Sequence, residues 1–224
     1  MFDRLKKALT REPVAPTASA FDDMLAWGLK WGLEEAQPRD SKIFAMTGSM
    51  GGKPWKLECG RSSRDYIRGY ELRAKAELKL NDAAAVLIMN RPLKEALEKQ
   101  AYEIYTDSLQ TTADPNLPEE MRWLAMYPES HWAGMPRSFK NHYVTLSDTL
   151  EHAVSWVDRE LIESLMAWPQ PAPDDQVPFI LMLLRGKVHL RMQYKTDDVQ
   201  TLEHAVKIFA KACSSAKAVL PGSS

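Results

Sequence analysis

The sequence predicts an α+β fold in which antiparallel sheet, built from hairpins, is flanked by amphipathic helices. Three observations support this class. One stretch of eleven residues alternates strictly between apolar and polar side chains, two pairs of strand-like segments enclose short turns that contain glycine, and several segments repeat apolar residues at helical spacing. Strands and helices come in blocks and do not alternate regularly, which argues against a doubly wound parallel sheet.

The composition is that of a globular protein with room for a sizeable core. The chain has 224 residues, of which 45% are hydrophobic and 26% charged, and its formal net charge is −1. A nearly neutral chain has no overall field that would attract nucleic acid, so we expect no nucleic-acid partner.

The sequence also limits where the protein is expected to work. No segment reaches the roughly 18 apolar residues that a membrane span needs, and no apolar run of a secretory signal follows the first residues. Cys59 and Cys213 lie far apart and have no metal-type spacing. We therefore expect a cytoplasmic protein with free thiols.

Residues 1–18 form the first predicted unit, a cationic segment followed by a proline-rich linker. Met1–Arg11 places Phe2, Leu5 and Leu9 roughly on one side of a short helix, and the prolines that follow end that helix. We expect this segment to make weak contact with an anionic membrane surface or to dock onto a partner. The alternative is that it folds back onto its own domain or onto a neighbouring copy.

Residues 19–220 are predicted to form a single α+β domain, with 19–112 and 113–220 as an alternative division into two similar halves. A helix is expected from Ser19 to about Ala36. Within it Gly28 and Gly32 are one turn apart, and this spacing predicts a close approach to a neighbouring element. Strands follow at Lys42–Thr47 and Pro54–Gly60.

Tyr70–Leu80 is the clearest segment in the sequence. Good helix formers occur throughout it, yet the unbroken alternation favours a half-buried antiparallel strand. Its apolar side chains would face the core and its charged ones water. After a turn at Asn81 and Asp82, the apolar run Ala83–Met89 predicts a buried strand.

The second half of the chain predicts further helices and a second hairpin. Asn90 is expected to cap a helix that runs to about Leu109, and Asp148 with Glu151 resembles a capping box before a long helix that ends at Trp168. The other predicted elements are a helix at Glu119–Met126, a strand near His142–Leu146, a hairpin of Phe179–Leu184 and Lys187–Tyr194 around Arg185 and Gly186, and a last helix from Thr196 or Asp197 with a seam at Val199, Leu202, Val206, Phe209, Cys213 and Ala216.

The glycine-rich stretch FAMTGSMGGKPW, residues 44–55, raises the question of phosphate binding. A P-loop reads Gly-x-x-x-x-Gly-Lys and then Ser or Thr, between a strand and a helix. Here Met46 or Thr47 occupies the position of the first glycine, and Pro54 that of the hydroxyl. A predicted strand also follows in place of a helix. We therefore predict a hairpin turn that uses glycine for positive φ and leaves Lys53 exposed.

The stretch ECGRSSRDY, residues 58–66, places a cysteine before two arginines, as in a phosphatase loop. The spacing from Cys59 to Arg64 is one residue shorter than that motif requires, and no histidine precedes the cysteine. A polar turn between strands explains the residues more simply, and we assign no catalytic role to them.

The loop at residues 127–139 is the most promising candidate for a pocket. Loops that combine these residue types often line binding sites, although an acid–base role would need a partner within hydrogen-bond distance. The alternative is that its aromatic side chains hold the loop onto the core. The candidate pocket residues are Glu129, His131, Trp132 and Arg137.

The charged sides of the alternating strands predict a basic sheet face. His189 lies between Lys187 and Arg191, and Arg73, Lys75 and Lys79 alternate on the other strand. A nucleic-acid platform of this type also needs exposed aromatic residues for stacking, and the outward positions contain none. We therefore expect a solvated sheet face.

These observations favour a soluble, non-enzymatic interaction or binding protein of bacterial type, with a protein partner or self-association. Seven tryptophans and eleven methionines supply interaction surface as readily as core. The alternative is an enzyme or small-ligand carrier whose site assembles from distant residues around the 127–139 loop. We assign no catalytic residue, cofactor or metal.

Overall fold

A computed structural model describes residues 18–36, 42–50, 52–107 and 119–220, and in these ranges one eight-stranded sheet lies between helices. The α+β class is confirmed. Met1–Arg11, the linker up to residue 17 and the polar loop before Glu119 lie outside the described residues. The helices are α1 (Ala18–Lys30), α2 (Arg91–Asp107), α3 (Glu119–Met126), α4 (Arg137–His142), α5 (Leu150–Trp156), α6 (Arg159–Met166) and α7 (Val199–Val219).

The sheet is antiparallel at every pairing, in the order β1-β2-β3-β4-β8-β7-β5-β6. Three of its pairings, β4 with β8, β5 with β7 and β5 with β6, join strands from the two predicted halves of the chain. The division into halves stays a prediction. The strands are β1 (Glu34–Glu35), β2 (Lys42–Met50), β3 (Lys53–Arg61), β4 (Tyr70–Glu77), β5 (Ala85–Asn90), β6 (Tyr143–Ser147), β7 (Phe179–Leu184) and β8 (Lys187–Tyr194).

The sheet separates two hydrophobic cores. The principal core lies between one face and the helices α1, α5, α6 and α7, and it includes Trp156, Leu181 and Phe209. The smaller core lies on the other face, where α2 and α3 pack over β5, β6 and β7 around Trp123 and Met182. Alternate residues of a strand point to opposite faces, so an entirely apolar strand such as β7 serves both cores.

The two predicted hairpins are confirmed, and glycine forms both turns. Gly52 has φ of 74° between β2 and β3, and Gly186 has φ of 70° between β7 and β8. A Cβ at Gly186 would lie 2.8 Å from the backbone oxygen of Leu80. Glycine is therefore required there both by conformation and by space. Lys53 is the half-buried first residue of β3 and not an exposed turn residue.

The first helix is shorter than predicted. It ends at Lys30, because Gly32 adopts φ of 73° and turns the chain into β1. The predicted close approach is confirmed at Gly28, where an added Cβ would lie 1.9 Å from the sulfur of Met46. No atom lies within 4 Å of a Cβ added at Gly32, so only its left-handed conformation explains why glycine occupies this position.

The predicted strand at Tyr70–Leu80 is confirmed as β4, but the burial of one side chain on its outer face was predicted wrongly. β4 ends at Glu77, but Leu78 and Leu80 remain buried. Glu71, which the alternation placed in water, has no exposed surface. The outer face of β4 is therefore partly covered.

Two predicted helix caps are wrong. Asn90 is the buried last residue of β5, where its Oδ1 accepts a hydrogen bond from Phe179 N at 2.9 Å. Thr149, and not Asp148, caps α5 by accepting from His152 N at 3.2 Å. The long helix expected to reach Trp168 is broken, because Asp158 begins α6 as a new N-cap.

Both cysteines lie in the principal core. Cys59 on β3 and Cys213 on α7 have no exposed surface and are free thiols. Burial raises the pKa of each thiol to about 12. None of the helices in the described ranges has the length and apolar character needed to cross a bilayer.

Candidate functional site

The register of the β7–β8 hairpin creates an abrupt change of polarity on one sheet face. Met182 lies opposite His189, and Leu184 lies opposite Lys187. Directly opposite residues share a face. The face that α2 and α3 cover is therefore apolar along β7 and basic along the next strand.

The basic character continues across the neighbouring strands. His189 lies opposite Lys75 of β4, and Lys75 lies opposite Lys56 of β3. Like charges directly opposite each other destabilise a sheet. Stability alone does not explain the pair of lysines, which makes this basic face a candidate for ligand binding.

A groove of about 470 Å³ lies along this boundary, between the sheet and α3. The volume falls in the range of small-molecule sites. Its apolar lining includes Ala84, Trp123, Met126, Met182 and Leu184. Its basic lining consists of Lys75, Arg122, Arg185, Lys187, His189 and Arg191, against the acidic Asp82 and Glu119.

Glu120 anchors α3 over the groove. Its Oε1 accepts hydrogen bonds from Arg64 Nε at 2.7 Å, from Tyr66 OH at 2.8 Å and from Arg191 Nη1 at 2.8 Å. Burial is the largest influence on this carboxyl and opposes its ionisation, but the hydrogen bonds from Arg64, the backbone and Tyr66, together with the charge of Arg64, hold its pKa below the ordinary value. α3 is thus tied by one charged side chain to β8 and to the loop before β4.

Glu71 is a second buried carboxylate beside the same guanidinium groups. Its Oε1 lies 3.4 Å from Arg191 Nε and 3.8 Å from Arg64 Nη1, and its Oε2 lies 3.8 Å from Arg73 Nε. Ser62 Oγ donates to Oε2 at 3.2 Å. Two buried carboxylates therefore face three guanidinium groups, and Glu58 of β3 lies opposite one of these, Arg73.

His189 responds to the positive field of the groove. Burial, followed by the charges of Lys75, Arg191 and Lys187, lowers its pKa from 6.5 to about 4. The imidazole is therefore neutral at pH 7. Glu77 compensates Lys75 and Lys187 only in part, at 3.0 and 3.2 Å.

Arg122 contributes a guanidinium group to the groove. Its Nε is buried and has no hydrogen-bond partner in the described part of the chain. A buried donor without a partner is costly, and Arg122 lines the groove. An anionic group in the groove would offset this cost through attraction to the charge of the guanidinium.

The residues predicted in the 127–139 loop lie elsewhere, on the surface beside β6. Glu129 contacts His131 Nε2 at 3.5 Å, Arg91 Nη2 at 3.3 Å and Lys94 Nζ at 3.5 Å. Trp132 packs against the principal core, and Arg137 is exposed at the start of α4. The structure thus brings Glu129 and His131 together but not Arg137, and a ligand site there stays a prediction.

The cysteine-containing stretch forms part of the fold. Cys59 is buried with a raised pKa, whereas Arg64 points to Glu120. A thiol with such a pKa is not ionised at neutral pH and is a poor nucleophile. This geometry matches the polar turn that the sequence predicted.

Sequence reasoning identified the basic strands but expected a solvated face. The side chain of Arg191 is only 15% exposed, and that of Arg73 27%. The signal that was missed is the apolar run of β7, FILMLL, since a strand without polar residues must be covered on both faces. That run implies a helix over the second face, and hence a groove at the edge of that helix.

Comparison with protein-family models gives no match, and comparison with curated proteins gives none. Among solved structures, the crystal structure of the mycobacterial trehalose monomycolate transport factor A, TtfA, is similar with a TM-score of 0.53 and 10% sequence identity. The similarity covers 93% of this chain and 99% of the TtfA chain. At this identity the likeness shows the fold alone.

Proposed function

We propose that this chain is a non-enzymatic binding protein or carrier for an anionic amphiphile, a small molecule with an apolar tail and an acidic head group. The observation that carries the proposal is the boundary between Met182 and His189 inside a groove. A ligand that spans this boundary must be apolar at one end and anionic at the other.

Each end of such a ligand has a defined place. The tail would lie on Met182 and Leu184 beneath Trp123, where burial of apolar surface provides most of the affinity. The head group would lie against the guanidinium of Arg122 and near Lys75 and His189. The excess of basic over acidic side chains in the lining of the groove favours an anion over a cation.

The name of the similar structure agrees with this role, since TtfA is described as a transport factor for trehalose monomycolate. In our proposal residues 19–220 act as one domain in the cytoplasm. The free, buried cysteines are compatible with that compartment. Met1–Arg11 would contact an anionic membrane surface or a partner protein. The alternative is that the chain associates with a second copy of itself.

A comparison of three ligands with the same tail tests the proposal. Calorimetric titrations with dodecyl phosphate, laurate and dodecyltrimethylammonium, each below its micelle concentration, separate the effect of the head group from that of the tail. We expect the two anions to bind and the cation to bind at least about tenfold more weakly. Equal affinity for all three would contradict an anionic head group, and absence of binding by both anions would contradict the function.

Variants of the groove locate the binding. Arg122→Gln is expected to weaken dodecyl phosphate binding about tenfold, because a charge-assisted hydrogen bond is lost. Leu184→Asp should weaken it further, since it places a carboxylate on the tail site. Lys53→Ala, on the β2–β3 hairpin, serves as the control and should bind as the wild type does. Unchanged binding by both groove variants would place the ligand elsewhere.

A further inference from the structure

A second pocket, independent of the groove, lies where β5 ends and β6 and β7 begin. Its volume is about 230 Å³. Tyr143, Trp168 and Phe179 provide its aromatic lining, and Asp174 and Asp175 provide its carboxylates. Its chemistry is thus opposite to that of the basic groove.

The three rings are held at steep angles to one another. The centroid of Phe179 lies 5.9 Å from that of Tyr143 at 70°, and 5.9 Å from that of Trp168 at 83°. Trp168 Nε1 donates to Tyr143 OH at 2.9 Å, and Tyr143 OH donates to Leu165 O at 3.1 Å. The polar atoms of the rings are therefore satisfied within the protein, and a ligand would meet chiefly the ring of Trp168, since Tyr143 and Phe179 are 8% and 4% exposed.

The negative charge at this pocket has little compensation. Asp174 has no ion-pair partner among the described residues, and its Oδ1 accepts only from Gln176 N at 2.8 Å. Asp175 lies 3.9 Å from His142 Nε2. His142 Nδ1 is 2.9 Å from Ser138 O, which can only accept, so Nδ1 carries the proton in the neutral tautomer.

The fold fixes the backbone of the acidic loop beside the rings. Asn90 at the end of β5 donates from Nδ2 to Asp175 O at 2.8 Å, and its Oδ1 accepts from Phe179 N at 2.9 Å. Val177 N donates to Asp174 O at 2.8 Å. One buried side chain thus links the acidic loop to the strand that carries an aromatic wall.

We propose that this pocket binds a small organic ammonium ion of the trimethylammonium type. Aromatic faces attract such cations through the ring quadrupole, and the attraction is strongest where water is excluded. Asp174 and Asp175 add charge complementarity. A trimethylammonium group needs no hydrogen-bond acceptor, which suits rings whose polar atoms are already engaged. The proposal does not depend on the ligand of the groove.

The indole N–H signal of Trp168 in a nitrogen–proton NMR spectrum reports binding directly. Trp168→Phe identifies this signal among those of the seven tryptophans. Titration of the full chain with tetramethylammonium chloride or choline chloride is expected to move the signal to saturation, whereas sodium chloride at equal ionic strength leaves it in place. An equal shift with sodium chloride would overturn the proposal.

An uncharged analogue separates the contribution of the positive charge to binding from that of the shape of the ligand. 3,3-Dimethylbutan-1-ol has the form of choline with carbon in place of nitrogen, and we expect it to bind at least about tenfold more weakly than choline. Equal binding would show an apolar pocket and overturn the ammonium assignment.

Dodecylphosphocholine micelles test whether the pocket binds a free ammonium ion or only a lipid head group at a membrane-like surface. A response to micelles together with the free ions supports the assignment, and a response to micelles alone overturns it.

Variants complete the test. Trp168→Leu is expected to weaken choline binding about tenfold, whereas Trp168→Tyr keeps an aromatic face and most of the affinity. Asp174→Asn combined with Asp175→Asn should weaken it about threefold, through lost attraction near the protein surface. Trp31→Leu, at an exposed tryptophan far from the pocket in sequence, is the matched control. If Trp168→Tyr and the double variant both bind choline as Trp168→Leu does, the proposal fails.

Discussion

Met182 on β7 and His189 on β8 lie directly opposite each other, and the apolar and basic parts of the groove meet at this pair. On its other side His189 lies opposite Lys75 of β4, so its neutral imidazole stands between a hydrocarbon side chain and a charged one. A small change in register would move the boundary by a residue and turn the basic side chains to the opposite face. The β7–β8 turn therefore determines the site as well as the fold.

The lowered pKa of His189 predicts a defined dependence of stability on pH. The folded state binds this proton with a pKa of about 4 and the unfolded state with 6.5, so the unfolded state holds more protons between these values. The free energy of unfolding should therefore fall by about 1–2 kcal/mol between pH 7 and pH 5. Urea titrations of wild type and His189→Gln at both pH values measure it. The variant should lack this decrease in the free energy of unfolding. An identical decrease in both proteins would contradict the lowered pKa.

Glu120 is expected to be important for stability because three donors converge on it. Glu120→Gln leaves Arg64 and Arg191 without their carboxylate and should lower the free energy of unfolding by about 2–3 kcal/mol at pH 7. Its pKa is lowered in the folded state, so its contribution is present above pH 4.5 and is lost as the pH falls further. Glu119→Gln, at the exposed neighbouring position, is the control. Chemical denaturation of the two variants should differ clearly, and equal stabilities would show that the buried cluster contributes nothing.

Two glycines with similar φ values predict different costs of substitution. Gly52→Ala has free space around its Cβ and should cost only about 1 kcal/mol of left-handed strain. Gly186→Ala adds a contact of 2.8 Å with the Leu80 oxygen and should cost about 1–3 kcal/mol more. Thermal unfolding of both variants compares them. Equal costs would indicate that the β7–β8 turn can move away from Leu80.

The end of β4 provides a third contrast, between neighbouring residues. Leu78 is 4% exposed, and Leu78→Asp should destabilise by about 3 kcal/mol or more, because it buries a charge. Lys79 has φ of 54°, a conformation that Asn adopts more easily, so Lys79→Asn should change stability by no more than about 0.5 kcal/mol. Circular dichroism during denaturant titration measures both. A similar loss in the two variants would contradict the orientation of this segment.

Much of the fold could be predicted because its signals are local. Strict alternation located β4, glycine turns located both hairpins, and apolar spacing located the seam of α7. The break between α5 and α6 was missed, although Asp158 followed by Arg159 and Glu160 is a plausible N-cap sequence. Asn90 was misassigned since its partners, Asp175 and Phe179, lie in a distant loop and strand.

The candidate site was harder to predict because it depends on how distant elements cover the sheet. Period-two patterns show which side of β4 faces a core, but not that α3 covers the other side. Glu71 therefore looked solvated, although Arg64 and Arg191 surround it in the fold. The residues of the aromatic pocket are similarly dispersed, from Asn90 to Phe179, and no spacing in the sequence connects them.

The two core thiols allow the internal motions of the protein to be timed. Cys59 and Cys213 are inert while the core is closed, since each is fully covered and un-ionised. Any reaction with an alkylating reagent must therefore wait for an opening event. Because one thiol lies on a strand and the other on the last helix, their separate labelling rates distinguish local fraying of α7 from cooperative unfolding of the whole chain.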